Sequence, residues 1–447
     1  MKSFSIIVKK KIDKFNKSIF VDSDKSISHR ALLISSQAFG ISKIKGLLQA
    51  QDVLNTISAL KKLGIKILKK KNFYYIFGNG IGSFNTNGKV IINAGNSGTL
   101  ARLIMGLLST YPNKIKIVGD NSLNKRPMER IINPLEKFGC QFEPKNKKKL
   151  PISIIGSEMP LAINHEEKIG SAQVKSAIIL AALNSPGVTN IKEFKKSRDH
   201  TENILKYIGA DITIKKFKNY NLISIRGQKD FGKFNLDIPG DMSSAAFFIV
   251  LTLLGKNSNL KIKNVNINNT RLGMIKILKK MNAKIKIINL RTLFNEKIGD
   301  LIITSSNLKS INCPTSLVAS TIDEFPILMV AAAKAEGNST FSGLSELNKK
   351  ESPRLNLMNS ILNQIGIKTK LGKDYIKIFG NPKINLNKSY KIETRFDHRI
   401  CMSAFIIGQV YGGKIIIKDC NSISTSFPSF LKIMKKIGAK YEVKKKN

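Results

Sequence analysis

The chain has 447 residues, 42% of them hydrophobic, with 13 prolines and no tryptophan. That composition excludes a disordered or low-complexity chain, and the length exceeds what one hydrophobic core usually organises, which predicts two domains of roughly 200 residues. Lysine and arginine outnumber the acids 75 to 30, a net charge of +45, but the lysines are scattered through every segment without interleaved aromatics; this speaks against a nucleic-acid binder and for solvated faces with a general attraction for anions.

The N-terminus, "MKSFSIIVKKK", places an apolar run before its lysines, the reverse of a signal peptide, and no small-residue cleavage site follows. The longest apolar stretch, "AAFFIVLTLLG", is too short to span a bilayer. A cytoplasmic protein is expected. Cys140, Cys313, Cys401 and Cys420 are far apart and form no CxxC pair, and the four histidines are equally dispersed; neither a disulfide framework nor a metal site is expected.

The first chemical signal is "VDSDKSISHRALLISS" over 21–36. Donors crowd the start of an apolar helix: Lys25 and Arg30 can neutralise a phosphate or carboxylate, with Ser26 and Ser28 expected as helix caps. "NAGNSGTLARLIMGLL" over 93–108 repeats the design. There Gly95 and Gly98 permit backbone approach to an anion, and Arg102 lies on the helix. "NKRPMERI" sets Arg126 beside Pro127, "GSAQVKSA" puts Ser171, Ala172 and Gln173 at the next apolar helix, and Arg198 opens "RDHTE". Farther on, "GDMSSAAFFIVLTLL" begins another such helix. Asp323 and Glu324 precede "FPILMVAAAKAEG", where a carboxylate is a good N-cap. "KKESPR" combines Lys350, Glu351 and Arg354, and "RFDHRI" gives Asp397, His398 and Arg399 before the last apolar helix.

Behind these motifs lies a repeat. "LKKLGIKI", "LEKFGCQF", "LKYIGADI", "LKKMNAKI", "LNQIGIKT" and "MKKIGAKY" pivot on Gly64, Gly139, Gly209, Asn282, Gly366 and Gly438. Each reads as the end of an amphipathic helix, a left-handed turn suited to Gly or Asn, and a strand. With the six apolar helices, which must be buried, the chain reads as six units of roughly βαβαββ. Two α/β domains of three units each follow, with helices inside and sheets outside. Helix N-termini carry partial positive charge and free N–H groups, so anions belong at the motif-bearing ends.

Taken in order, "DKSISHRALL", "GNSGTLARL", "KRPMERI", "SAQVKSA", "SRDHTE", "DEFPIL", "KES-R" and "DHRICM" resemble the 5-enolpyruvylshikimate-3-phosphate (EPSP) synthase family over essentially the whole chain. The resemblance implies the enolpyruvyl transferase fold, an inside-out α/β barrel in each of two domains. Residues 22–238 would form one, mainly binding shikimate 3-phosphate. Residues 1–21 with 239–447 would form the other, carrying acid–base and phosphoenolpyruvate-binding groups, with the active site in the cleft between them. It further implies transfer of the enolpyruvyl group of phosphoenolpyruvate to the 5-hydroxyl of shikimate 3-phosphate, releasing phosphate, by addition and elimination through a tetrahedral intermediate. No metal or organic cofactor is implied, and a monomer acting on small molecules is expected.

By the same resemblance Lys25, Ser26, Arg30, Ser171, Ala172, Gln173, Arg198, Asp323 and Lys350 hold shikimate 3-phosphate. Phosphoenolpyruvate is gripped by Lys25, Gly98, Arg126, Gln173, Arg354 and Arg399. Asp323 and Glu351, assisted by Lys25, manage the protons, without either carboxylate being fixed to one step. Three departures stand out: Asp22-Ser23 replaces the family's Pro-Gly, Pro353 interrupts its KESDR, and Thr425 stands in "STSFP" where many relatives carry lysine. "SAQVK", "RDHTE" and "NNTR" lean toward the class II group. Within the fold the rival is the transferase acting on UDP-N-acetylglucosamine, which usually carries a reactive loop cysteine; Cys140, inside a repeat motif, reads instead as a packing residue.

Overall fold

The six pivots are where the backbone turns left-handed: φ is +86° at Gly64, +94° at Gly139, +79° at Gly209, +69° at Asn282, +85° at Gly366 and +108° at Gly438. Each ends a helix and admits a strand, as Gly64 does between Gln51–Lys62 and Lys66–Lys70. A residue without Cβ, or asparagine, tolerates this conformation where β-branched residues do not. The computed structural model describes residues 4–145 and 148–445.

Six sheets result. In the simplest repeat, Val90–Asn93 pairs parallel with Lys114–Val118, which runs antiparallel to Ile152–Ile155, itself antiparallel to Gln141–Glu143. The helices Gly98–Leu108 and Glu129–Glu136 fill the two connections, so the repeat is βαβαββ. Asn164–Glu167, Val188–Glu193, Asn221–Arg226 and Ile212–Lys216 follow the same plan. The repeat containing Phe39–Lys45 takes its first strand from Asn235–Asp237. Asn16–Phe20 likewise pairs parallel with Asn259–Asn266, and Phe4–Val8 enters the sheet of Gly412–Ile417 and Tyr441–Lys445. In the sheet of Asn338–Phe341 the corresponding strand is reduced to bridges at Lys309 and Asn312.

Two compact units contain these sheets. One comprises Ser23–Ile238 with Thr292–Glu296; the other comprises the described chain to Asp22, Pro239–Arg291 and the chain from Lys297 onward. Met242–Leu254, Phe325–Ala333 and His398–Tyr411 are buried at every position and pack on one another. Phe248, Phe405, Phe427 and Phe430 join them with ring centroids 5.3–6.0 Å apart. Each such side chain contributes about 1.5–3 kcal/mol by leaving water. In the Ser23–Ile238 unit, Gly98–Leu108 crosses Ala172–Ala182 so closely that a Cβ on Gly106 would lie 2.2 Å from the Ala177 carbonyl oxygen.

All four cysteines are free. Cys140 is the packing residue expected: its thiol donates to the Leu135 carbonyl, and burial, with Glu136 adding to it, pushes it up to about 12. Cys401 and Cys420, which sequence separation gave no reason to join, meet with their Sγ atoms 3.0 Å apart. Among the described residues no helix is long and apolar enough to cross a membrane, and no group of three His, Cys, Asp or Glu is placed to hold a metal.

Candidate active site

In the Ser23–Ile238 unit, Lys25, Gly98, Ser171 and Gln173 stand at the N-terminal ends of largely buried helices. The helix Lys25–Ser35 is capped by Asp24, whose Oδ1 accepts from the Ile27 N–H at 2.9 Å. This corrects the expected caps: Ser28 donates to the Asp24 carbonyl and accepts from the Leu48 N–H, and Ser26 offers its carbonyl to Arg30. Lys25 Nζ lies 3.0 Å from Asp52 Oδ2 on the next helix, with the lysine side chain 19% exposed. Arg30 is enclosed. Its Nε donates to Thr201 Oγ1 at 2.7 Å and its Nη2 to Ser176 Oγ at 2.8 Å. Burial lowers the Arg30 guanidinium to about 10, with Glu202 and Asp24 opposing, so it stays charged.

His29, between these two cations, is buried with Nδ1 2.7 Å from Thr56 Oγ1. Burial, reinforced by Lys25 and Arg30, holds it well below the usual histidine range; the folded state keeps it neutral. The unfolded chain takes up this proton near pH 6.5, so it binds more protons than the native state at lower pH and stability falls with pH there. Between pH 6.5 and 5 the loss from this group should approach about 1.4 kcal/mol per pH unit. His29→Asn, which can keep the Thr56 bond, should flatten the Tm profile in that window; an unchanged slope would assign it to other groups.

Ser97 caps the second helix of this set, Gly98–Leu108, by accepting from the Leu100 N–H. Arg102 Nη1 donates to Gln173 Oε1 at 2.8 Å, and Gln173 Nε2 donates to Thr99 Oγ1 at 3.0 Å. Arg126 Nη2 donates to Asn96 Oδ1 at 2.7 Å. A Cβ on Gly98 would sit 2.9 Å from Arg102 Nη1 and 3.3 Å from Arg126 Nη1. Two guanidinium groups therefore converge on a position without a side chain, and glycine keeps the approach open.

At the third helix Ser171 is the N-cap, accepting from the Val174 N–H, and Ala172 opens the helical turn. Glu167 Oε1 accepts from the Ile169, Gly170 and Ser171 N–H groups. Burial alone would push Glu167 up, but these bonds and His165 outweigh it and hold it below the usual carboxylate range. Arg198 lies immediately before Asp199, the N-cap of His200–Tyr207. Its neighbour His200 is fully buried with Nδ1 2.8 Å from Glu296 Oε1.

The second unit gathers acids and bases around one guanidinium. Arg354 is 1% exposed; Nε donates to Asp397 Oδ2 at 2.8 Å, Nη2 donates to Glu351, and Nη1 is 3.6 Å from Asp323 Oδ1. Burial opposes its charge, but Asp397, Glu351 and Asp323 reverse the effect and raise it. Lys350 Nζ lies 3.1 Å from the same Asp323 oxygen. Pro353 does not disturb this set. It occupies the N-cap position of Arg354–Gln364, where no N–H is required, and its carbonyl accepts from the Leu357 N–H.

Asp323 and Glu324 do not act as side-chain caps of Phe325–Ala333, contrary to expectation. Adjacent in sequence, they face different partners. Glu324 accepts from Ser243 Oγ and lies 4.0 Å from Arg271 Nη2 and 3.9 Å from Arg399 Nη1. Arg271, the last residue of "NNTR", donates to Asp241 and Ser243. Asp397 has two tasks: Oδ1 caps His398–Tyr411 through the Arg399 N–H, and Oδ2 holds Arg354. The Asp22 departure also finds a use, since its carboxylate accepts from Ser429 N and Oγ. Thr425 Oγ1 donates to the Ser422 carbonyl.

Asp52, Asn96 and Thr99, with Arg271 and Asp397, contact the candidate residues although the sequence assigned them no role, and Glu324 meets Ser243 in place of its expected cap. For Asp397 the signal was its place at the head of an apolar helix; for the others, contact partners distant in sequence supply the role.

Residues 9–434 match the family model described as EPSP synthase (3-phosphoshikimate 1-carboxyvinyltransferase). A protein named 3-phosphoshikimate 1-carboxyvinyltransferase from Zymomonas mobilis is 40% identical over 441 residues, covering 98% of this chain and 97% of its own. One of the same name from Petrotoga mobilis is 43% identical over 428 residues, covering 95% and 98%. The solved EPSP synthase from Acinetobacter baumannii superposes with a TM-score of 0.86 at 36% identity, over 100% of both chains.

Proposed function

The chain belongs to the EPSP synthase family, and on that premise we propose how its residues carry out the family reaction. It transfers the enolpyruvyl group of phosphoenolpyruvate to the 5-hydroxyl of shikimate 3-phosphate and releases phosphate. The observation that supports anion capture here is the convergence of Arg102 and Arg126 on Gly98, a cationic cradle into which a phosphate or carboxylate can come close. In our reading Lys25, Gly98, Arg126, Gln173, Arg354 and Arg399 bind phosphoenolpyruvate. Lys25, Ser26, Arg30, Ser171, Ala172, Gln173, Arg198, Asp323 and Lys350 bind shikimate 3-phosphate.

Addition requires a proton at the methylene carbon of phosphoenolpyruvate and loss of one from the 5-hydroxyl as its oxygen bonds to the neighbouring carbon. Elimination takes a proton back from the new methyl group as the carbon–oxygen bond to phosphate breaks. We assign these transfers to Asp323 and Glu351, with Lys25 assisting, and stabilisation of phosphate and carboxylate charge to the arginines. We further propose that the enzyme works as a cytoplasmic monomer on these small molecules, without nucleic-acid or membrane partners.

The test is phosphate release from phosphoenolpyruvate by purified protein with shikimate 3-phosphate or UDP-N-acetylglucosamine as acceptor. Release is expected with the first alone; release with the second would overturn the reading. Gly98→Ala probes the cradle. Its methyl group must displace Arg102 Nη1 and crowd Arg126, so KM for phosphoenolpyruvate should rise on the order of 10–100-fold, while KM for shikimate 3-phosphate changes little. Equal changes in both would place the cradle elsewhere.

A further inference from the structure

We infer that Lys175 is a positioning residue for shikimate 3-phosphate, setting the loop that carries Arg198; the inference rests on the proposed role of Arg198. Lys175 is the charged residue of the helix Ala172–Ala182, two residues beyond Gln173 and 1% exposed. A buried ammonium persists only where carboxylates compensate it. Here Nζ lies 2.6 Å from Glu193 Oε1 and 2.7 Å from Glu202 Oε1, and these two carboxylates are themselves buried.

Glu193 ends the strand Val188–Glu193 and Glu202 lies in the first turn of His200–Tyr207. The short loop between them contains Ser197 and Arg198. Lys175 thus holds both ends of the segment that presents Arg198. Glu193 then passes the constraint on: Oε1 also accepts from Ser197 N at 3.0 Å and Ser197 Oγ at 2.8 Å. The backbone is therefore fixed at the residue immediately before Arg198. One residue beyond Lys175, Ser176 Oγ is 2.7 Å from Thr201 Oγ1, and both oxygens meet Arg30. The same helix that offers Ser171 and Gln173 to substrate thereby sets the register of the Arg198 loop against it.

A lysine serving only to fill the core would affect stability alone. A positioning lysine should move one Michaelis constant and spare the other, because its chain of bonds ends at Arg198 rather than at Gly98 and Arg126. The experiment measures Tm and separate KM values for both substrates in Lys175→Met, Ser197→Ala and Arg198→Ala, using the full chain. Lys175→Met and Arg198→Ala should each raise KM for shikimate 3-phosphate by about tenfold or more, with that for phosphoenolpyruvate held within about twofold. Ser197→Ala, which leaves the ion pairs in place, should give the same pattern in severalfold form. If Arg198→Ala has its effect and folded Lys175→Met does not, the inference is overturned and the substrate assignment stands. Should Lys175→Met fail to fold, Ser197→Ala decides: a selective rise supports the inference and no rise overturns it. If Arg198→Ala itself changes nothing, the assignment of Arg198 falls, and the inference with it.

Discussion

Replacing Glu351 by alanine is expected to lower turnover on the order of 10²–10⁴-fold while leaving the fold intact, the loss typical of removing a general acid or base. Glu351 can be removed without structural collapse because its side chain is 20% exposed and bonds Arg354 Nη2 at the start of a helix. Arg354 keeps Asp397 and Asp323 in the variant. Asp323→Ala is the companion experiment. It strips a shared partner from Lys350 and Arg354, but the aspartate side chain is 16% exposed and water can solvate the lysine. Phosphate release at saturating substrate measures turnover, and Tm reports the fold. A loss in either variant with native Tm identifies that carboxylate as a proton carrier. Full turnover in both would sink the acid–base assignment.

The way these residues were legible in the sequence differs from one to the next, and the difference is physical. The pivots could be read because a left-handed turn selects glycine or asparagine locally: Asn282, at +69°, behaves as the five glycines do. The buried helices could be read from apolar residues on every face. Strand exchange could not be read from local pattern, and family resemblance alone set residues 1–21 with 239–447. Asn235–Asp237 pairs with the strand beginning at Phe39, and Phe4–Val8 pairs with the one ending at Lys445; such pairings depend on tertiary closure rather than on any local preference.

At the site the same division holds. Motif order located Lys25, Gly98, Arg126, Gln173 and Arg354, whereas the partner of each was hidden by sequence distance. Asp24 displaced Ser26 and Ser28 as cap because its backbone lies before the helix and its carboxylate reaches the Ile27 N–H; composition alone allowed all three. Asp323 and Glu324 read as one acidic pair ahead of a helix. Their side chains separate, one toward Lys350 and the other toward Ser243, a distinction that adjacent letters do not carry. Lys175 was hidden by its setting, since a lone lysine in a largely buried helix gives no sign of which carboxylates meet it.

Arg354→Leu should have the largest structural effect of any single change at this site. One guanidinium, 1% exposed, faces Asp323, Glu351 and Asp397, and Asp397 is fully buried. Removing the cation leaves these carboxylates crowded, and breaking a buried ion pair in this way costs about 3–5 kcal/mol. For a unit of this size that corresponds to a fall in Tm of about 6–20 °C. Asp397 also caps His398–Tyr411 and starts the segment carrying Arg399, so the damage should extend to phosphoenolpyruvate binding. Arg354→Lys separates charge from shape. Lysine restores a cation and should recover part of the lost Tm, but its single ammonium cannot reproduce the planar fork that meets Asp397 through Nε and Glu351 through Nη2. Turnover should therefore remain low in a variant whose stability has partly returned. If lysine restored both together, charge alone would suffice, and the fork geometry would have no part in ordering the carboxylates we assign to proton transfer.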